Sequence, residues 1–222
     1  MKKAWFAALL SFNAGFVDAA GFIGLQGLFV SHVTGNFVTL AAALAFGTKG
    51  IAIKLLALPE FILVIALARV AGARAAARGR PMLRLGLIVE MIFLLAFLAC
   101  AVAFGPFHDT DTPGGLLTGF AGVAAMAIQN AVQRVHFSNL PPTTVMTLST
   151  TQVILDAVDL LRGSAGDQAP AMGQRFRGLL TTILSFAAGC VAAALLYVAI
   201  GFWCLAVPVA VVAIAAMLRL ED

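Results

Sequence analysis

The chain has 222 residues, of which 62% are hydrophobic and only 11% charged, with a net charge of +4. A soluble domain carries about 25% charged residues, so a water-soluble globular fold is excluded. The arginines behind the positive balance cluster at Arg69–Arg84 and Arg162–Arg177, beside apolar runs, which excludes a nucleic-acid-binding face and suits loops on the cytoplasmic side of a membrane.

The N-terminal run "MKKAWFAALLSFNAGF" begins like a signal peptide, with two lysines before an apolar stretch. No small-x-small cleavage site follows, and the apolar stretch continues past Gly24, so it predicts an uncleaved first helix over roughly 4–25. Further apolar segments follow at roughly 29–46, 52–73, 84–105, 115–134, 143–161, 178–200 and 202–219. Strand-length alternation is absent, which disfavours an outer-membrane barrel. No long polar stretch interrupts the series, so 1–222 reads as a single transmembrane domain.

If all eight segments crossed the bilayer, one of the two arginine clusters would fall on the outside whichever way the chain began. Both clusters stay inside when segments 29–46 and 143–161 enter the membrane without crossing it. These two are also the most polar, holding "SHVTGNFVT" and "PPTTVMTLSTTQ". Irregular backbone at membrane depth is tolerated where it is buried in protein or lines a watery cavity. Pro141 and Pro142 suit the start of a helix, with Thr143 or Thr144 as its cap, and Ser31 or Thr34 could cap the first segment. The expected fold is an all-α integral membrane protein with six transmembrane helices plus two re-entrant or broken helices. Both termini, including Arg219, Glu221 and Asp222, lie in the cytoplasm.

The pattern repeats. "GFVDAAG" followed by "HVTGNFVTL" is answered by "AIQNAVQ" followed by "VMTLSTTQVIL", matching Asp18 with Asn130 and Thr34 with Thr147. An odd number of crossings in each half, about 4–105 and about 115–219, makes the halves inverted repeats, a recurrent transporter plan.

The stretch "AGFVDAAGFIGLQGLFVSHVTGNFVTLA" resembles the signature of the YoaK-like family of bacterial inner-membrane proteins, and "AMAIQNAVQR…LPPTTVMT" resembles its second motif. In place of that family's second threonine–glycine pair stand Thr147 and Leu148. The resemblance implies a multi-pass protein of the bacterial cytoplasmic membrane and names no substrate.

The candidate site residues follow from the cost of polar groups in hydrocarbon. A carboxylate near mid-membrane costs about 2.5–3.5 kcal/mol on insertion scales, so Asp18 should face the bundle interior. His32, Thr34, Gly35 and Asn36 surround a helix start whose amides favour anions. Gln129, Asn130, Thr147 and Ser149 are their second-half counterparts, able equally to bind a ligand or to join helices. Glu90 reads as a structural ion pair with Arg84 or Arg69, and Asp156 and Asp159 as solvated or paired with Arg162. His32 with Asp18 is the sole candidate acid–base pair, and no nucleophile accompanies it, so no enzyme is expected. The three scattered cysteines fit no metal site, and neither a metal nor a cofactor is called for. The pattern predicts a secondary transporter or channel for a small solute, an anion or carboxylate among the candidates. The alternative is a structural or accessory membrane protein. Lipid is the surrounding partner, and self-association into a homo-oligomer is left open.

Overall fold

The structure, a computed structural model, describes residues 2–137, 143–144, 146–164 and 166–217. Among those residues every regular element is a helix. The helices are α1 (Lys2–Gly24), α2 (Asn36–Phe46), α3 (Ile51–Ala76), α4 (Met82–Phe104), α5 (Pro113–His136), α6 (Met146–Leu161), α7 (Ala169–Ile200) and α8 (Ala206–Met217). Short 3-10 turns precede α2 (Val33–Gly35), α7 (Gly166–Gln168) and α8 (Gly201–Leu205). Pro141, Pro142 and the C-terminal Arg219, Glu221 and Asp222 lie outside the described residues.

Helices α1 and α5 are the buried centre. The core runs along α1 from Phe6 through Leu10, Phe16 and Val17, and along α5 from Val123 to Ile128. The outer helices are turned inside out relative to a soluble protein. On α3, Ile53, Lys54 and Ala57 are buried, while Leu55, Leu56, Ile62, Leu63, Leu67 and Val70 are exposed. A shell this apolar is stable against hydrocarbon and would aggregate in water.

Five runs are long and apolar enough to cross a membrane: Trp5–Gly24, Ile51–Ala76, Met82–Phe104, Pro113–His136 and Gly166–Met217. The last contains both C-terminal segments expected to cross separately, divided by a 3-10 turn at Gly201. Helix α7 starts at Ala169, earlier than the expected 178, because polar residues such as Gln174, Arg175 and Arg177 extend it beyond its apolar part. Among the described residues α2, α6 and α8 are the short helices. At 1.5 Å per residue they measure about 16, about 24 and about 18 Å, against a hydrocarbon layer of about 30 Å, and the 3-10 turn Gly201–Leu205 directly before α8 adds to its reach.

Packing is pairwise. Helix α1 lies on α7 and α8, α5 on α3 and α4, α2 on α3, and α6 on α7. The α1–α7 crossing brings backbones into direct contact. A Cβ at Gly15 would collide with the carbonyl oxygen of Phe186, and one at Gly189 would collide with that of Phe12.

Loops stitch one end of the bundle. Asp111 accepts from the backbone N–H of Ile51 (2.8 Å) and of Ile53 (3.1 Å), so the α4–α5 loop caps α3. Lys49 lies 3.5 Å from Asp109, and Gln26 Nε2 donates to the Phe107 carbonyl at 3.2 Å. The C-terminus of α1, the C-terminus of α2 and the start of α3 therefore share this end. At the other end of α1, Phe6 packs on Phe137, just beyond α5, with ring centroids 4.8 Å apart.

Candidate functional site

After α1 the chain reverses at Gln26 and Gly27, both with positive φ (54° and 83°). Positive φ suits Gly27 and is uncommon for a side-chain-bearing residue such as Gln26. The reversal carries residues 28–32 back along α1. Asp18, only 4% exposed, receives them. Its Oδ1 accepts from the Ser31 N–H (2.7 Å) and the His32 N–H (3.3 Å), and its Oδ2 lies 2.9 Å from His32 Nδ1. One carboxylate thus accepts two backbone amides and an imidazole, a dense set of charge-assisted contacts for a buried acid.

Asn36 closes the same turn from the other side. Phe29 N–H donates to Asn36 Oδ1 (2.8 Å), and Asn36 Nδ2 donates to the Phe29 carbonyl (2.7 Å). This replaces the expected capping by Ser31 or Thr34. The α2 N-cap is Gly35, with no side-chain hydrogen bond, and Ser31 Oγ has no partner among the described residues.

His32 opens onto a cavity of about 520 Å³. Its walls include Asp18, Phe22, Phe29, Phe186 and Cys190, with Gly35 at the floor of the turn. The His32 ring stands edge-on to Phe186, centroids 5.6 Å apart, and to Phe29 at 6.3 Å. With Nδ1–H given to Asp18, Nε2 is left as an acceptor, and protonation turns it into a donor. The site can therefore offer a single switchable polar contact within aromatic walls.

Of the residues expected from sequence, Asp18, His32 and Gly35 meet in this cavity, and Asn36 shapes the turn behind it. Thr34 is exposed. Asn130 lies elsewhere. Its Oδ1 accepts from Thr144 Oγ1 (2.8 Å), and its Nδ2 donates to the Met126 carbonyl (2.8 Å). Thr144 thus bonds to α5 where a helix cap was expected. Thr147 is exposed and Ser149 buried, both on α6. Helices α2 and α6 form no packed interface with each other among the described residues, so the two polar turns are separate.

Gln129 belongs to a third group. Asn13 Nδ2 donates to Gln129 Oε1 (2.8 Å) and to Glu90 Oε1 (3.2 Å), and Gln129 Nε2 donates to the Leu10 carbonyl (3.0 Å). The expected Glu90–arginine pair is therefore an amide contact instead. Asp156 pairs with Arg175 (Nε to Oδ2, 2.8 Å), not with Arg162, and Asp159 accepts from Ser164 Oγ (3.2 Å). The aromatic wall was missed by sequence reasoning. Phe22 stands one helical turn after Asp18, a visible signal, but nothing local brings Phe186 or Cys190 to the same place.

Residues 6–218 match the model of a family described as a protein of unknown function (DUF1275). The chain belongs to this family. No curated protein and no solved structure matches it. The DUF1275 match spans both the Asp18–His32 turn and the Asn130–Thr144 turn.

Proposed function

We propose that the chain is a secondary transporter or channel for a small solute, and that the Asp18–His32 cavity receives that solute. The observation that carries this reading is a buried carboxylate, Asp18, paired with the half-buried imidazole of His32 and lining a cavity of about 520 Å³. A chain this apolar places polar groups at such depth only at a cost, and intramembrane ionisable residues mark substrate or ion pathways by default. The favoured solute is a small organic anion. Protonated His32 would meet its charge, and Phe22, Phe29 and Phe186 its apolar part.

The architecture behind this reading is two inverted repeats in a bacterial cytoplasmic membrane, of the YoaK-like kind, with both termini inside. Exchanging α1 with α5, α2 with α6, α3 with α7 and α4 with α8 converts each main helix contact into another: α1–α7 into α5–α3, α2–α3 into α6–α7, α4–α5 into α8–α1. Each half also closes a polar turn over the same separation. Asp18 to His32 and Asn130 to Thr144 are both 14 residues apart. Helix α2 reads as re-entrant. The chain leaves α1 beside Phe107, returns to the level of Asp18, and ends at Lys49 beside Asp109 at the end it left. Helix α6 takes the same role from the opposite face. The remaining helices supply six crossings, the last made by α8 together with the 3-10 turn before it, and no catalytic chemistry is assigned to the chain.

The test is uptake into proteoliposomes across a panel of small organic anions, wild type against Asp18→Asn. The amide keeps the acceptor for Ser31 and His32 but removes the charge facing the imidazole. Uptake falls about tenfold or more, equivalent to about 1.4 kcal/mol in barrier. Equal uptake by the two proteins removes Asp18 from the mechanism.

A second reading, a structural or accessory protein, draws on a specific observation. Both oxygens of Asp18 and both amide atoms of Asn36 are already engaged by their own turn. It predicts no uptake of any solute and no change in the thermal stability of the purified protein when the panel is added.

A further inference from the structure

Three side chains from three helices meet at the centre of the bundle, away from the Asp18 cavity. Asn13 of α1, Glu90 of α4 and Gln129 of α5 are each 0% exposed. Within the cluster Asn13 Nδ2 donates twice, once to each neighbour. Two atoms remain without a partner among the described residues: Glu90 Oε2 and Asn13 Oδ1.

Both are oxygens, and an ionised carboxylate can only accept. An ionised Glu90 would therefore carry a full charge with a single amide donor to compensate it. Among the described residues no cation pairs with it. The described ion pairs are Asp18–His32, Lys49–Asp109 and Asp156–Arg175, and Glu90 is in none. Its own helix carries Arg84, near the start. From the helices packed around it, α1 brings Lys2 and Lys3 at its very start and Asp18, which is engaged by His32. Helix α5 brings Arg134 and His136 at its last turn, and α3 brings Lys54, Glu60, Arg69 and Arg74. Helix α8 brings no charged group, and its preceding turn only Cys204. A bare charge in such surroundings is strongly disfavoured. A proton on Oε2 removes it. The two orphan oxygens are the second atoms of two groups already joined through Nδ2 and Oε1 at 3.2 Å. A carboxylic acid and a primary amide close into a cyclic pair by adding one O–H···O bond between those same two atoms.

We propose that the Asn13–Glu90–Gln129 cluster is an internal proton-binding site, in which Glu90 is a neutral acid donating its Oε2–H to Asn13 Oδ1. A metal cation is the weaker occupant. Two free oxygens fall short of the six or more that hard cations such as calcium take, and a proton needs only these two. The site stands whether or not the Asp18 cavity carries a solute.

The experiment is infrared spectroscopy of the purified full-length protein in lipid nanodiscs at neutral pH, wild type against Glu90→Gln. Subtracting the variant isolates Glu90 from the other carboxyl groups, Glu60 among them. The expected difference spectrum holds a protonated-carboxyl C=O band and lacks the matching carboxylate bands. Asn13→Leu, measured in the same way, moves that band to higher frequency because the acid loses both the N–H donor on Oε1 and the acceptor of its O–H. Carboxylate bands alone in the first difference overturn the proposal. So does a C=O band that stays in place in Asn13→Leu. A Glu90→Gln protein that fails to fold also overturns it, since the amide reproduces the shape and the donor of the neutral acid. Adding sodium or potassium should leave the band unchanged, and its loss on addition would assign the two oxygens to a metal cation instead.

Discussion

Asn36 shows how much a single amide does in this fold. It satisfies the N–H and the C=O of Phe29, two backbone groups that the reversed turn takes out of any helix ladder. Asn36→Ala leaves both without partners in a buried turn. The expected loss is about 2–6 kcal/mol at about 1–3 kcal/mol per orphaned group, read as a lower midpoint of thermal unfolding in detergent. An unchanged midpoint would mean that water replaces the amide and that the turn is wetter than its burial implies. At this scale sequence reading singled out these residues and anticipated only part of their contacts. Asp18, His32 and Asn36 stand out because polar groups in an apolar chain need a reason. What they bind is largely backbone, and backbone partners leave no mark on composition. Thr34 stood out equally and is exposed, because spacing along the chain does not reveal which side of a turn faces the bundle. The Asn13–Glu90–Gln129 cluster was illegible for another reason. Its members lie 77 and 116 residues apart, and no local pattern states which helices will touch.

Among the elements, the α1–α7 pair sets the tightest constraint. Gly15 and Gly189 each present bare backbone to a carbonyl of the other helix, and Cys190 Sγ donates to the Gly15 carbonyl at 3.3 Å. Any side chain at either glycine must push the helices apart, because the obstacle is backbone and cannot rotate away. Gly15→Val should destabilise by about 1–3 kcal/mol or more, the usual cost of overpacking. Gly173, on the same α7 but with open space where a methyl would stand, is the control. Gly173→Ala should gain up to about 1 kcal/mol from helix propensity alone. Thermal unfolding of both variants in one detergent checks the contrast, and equal effects would show that the crossing tolerates a side chain. The small residues Ala14, Gly15 and Ala19 are visible in the sequence as a stripe permitting close approach. Which helix approaches is decided by the fold. Six of the eight apolar segments were legible to within a few residues, since apolar run length is what a bilayer selects, while α2 starts later and α7 earlier than its apolar run. The 3-10 turn ahead of α2 was not, because its local sequence differs little from that of a helix start.

For the whole molecule, topology is the testable quantity. Lys49 and Asp109 meet at one end of the bundle, so their loops must face the same compartment. In the proposed orientation, with both termini inside, that compartment is the exterior. Single cysteines at Lys49 and at the exposed His108, in a background without native cysteines, should both react with a membrane-impermeant maleimide added to intact cells. Labelling of one without the other would contradict the shared end, and labelling of neither would invert the orientation. The inverted-repeat reading then requires the Arg74–Arg84 loop to stay protected in the same cells. The charge rule leads to this arrangement from the arginine clusters, with Lys49 and Lys54 as its discordant residues. The structure gives both a physical setting, Lys49 beside Asp109 and Lys54 buried with its Nζ 3.4 Å from the Lys49 carbonyl.

The cap on α3 also orders events during synthesis. Ile51 and Ile53 expose their amides as soon as they are made, yet the carboxylate that accepts them belongs to Asp111, 60 and 58 residues later. Until that loop has emerged on the far face, the third helix has an unfinished beginning, and the α2 hairpin beside it has nothing to be fastened to. A nascent chain stalled within α4 would hold its first half loosely, and the two halves would lock only when the second had begun.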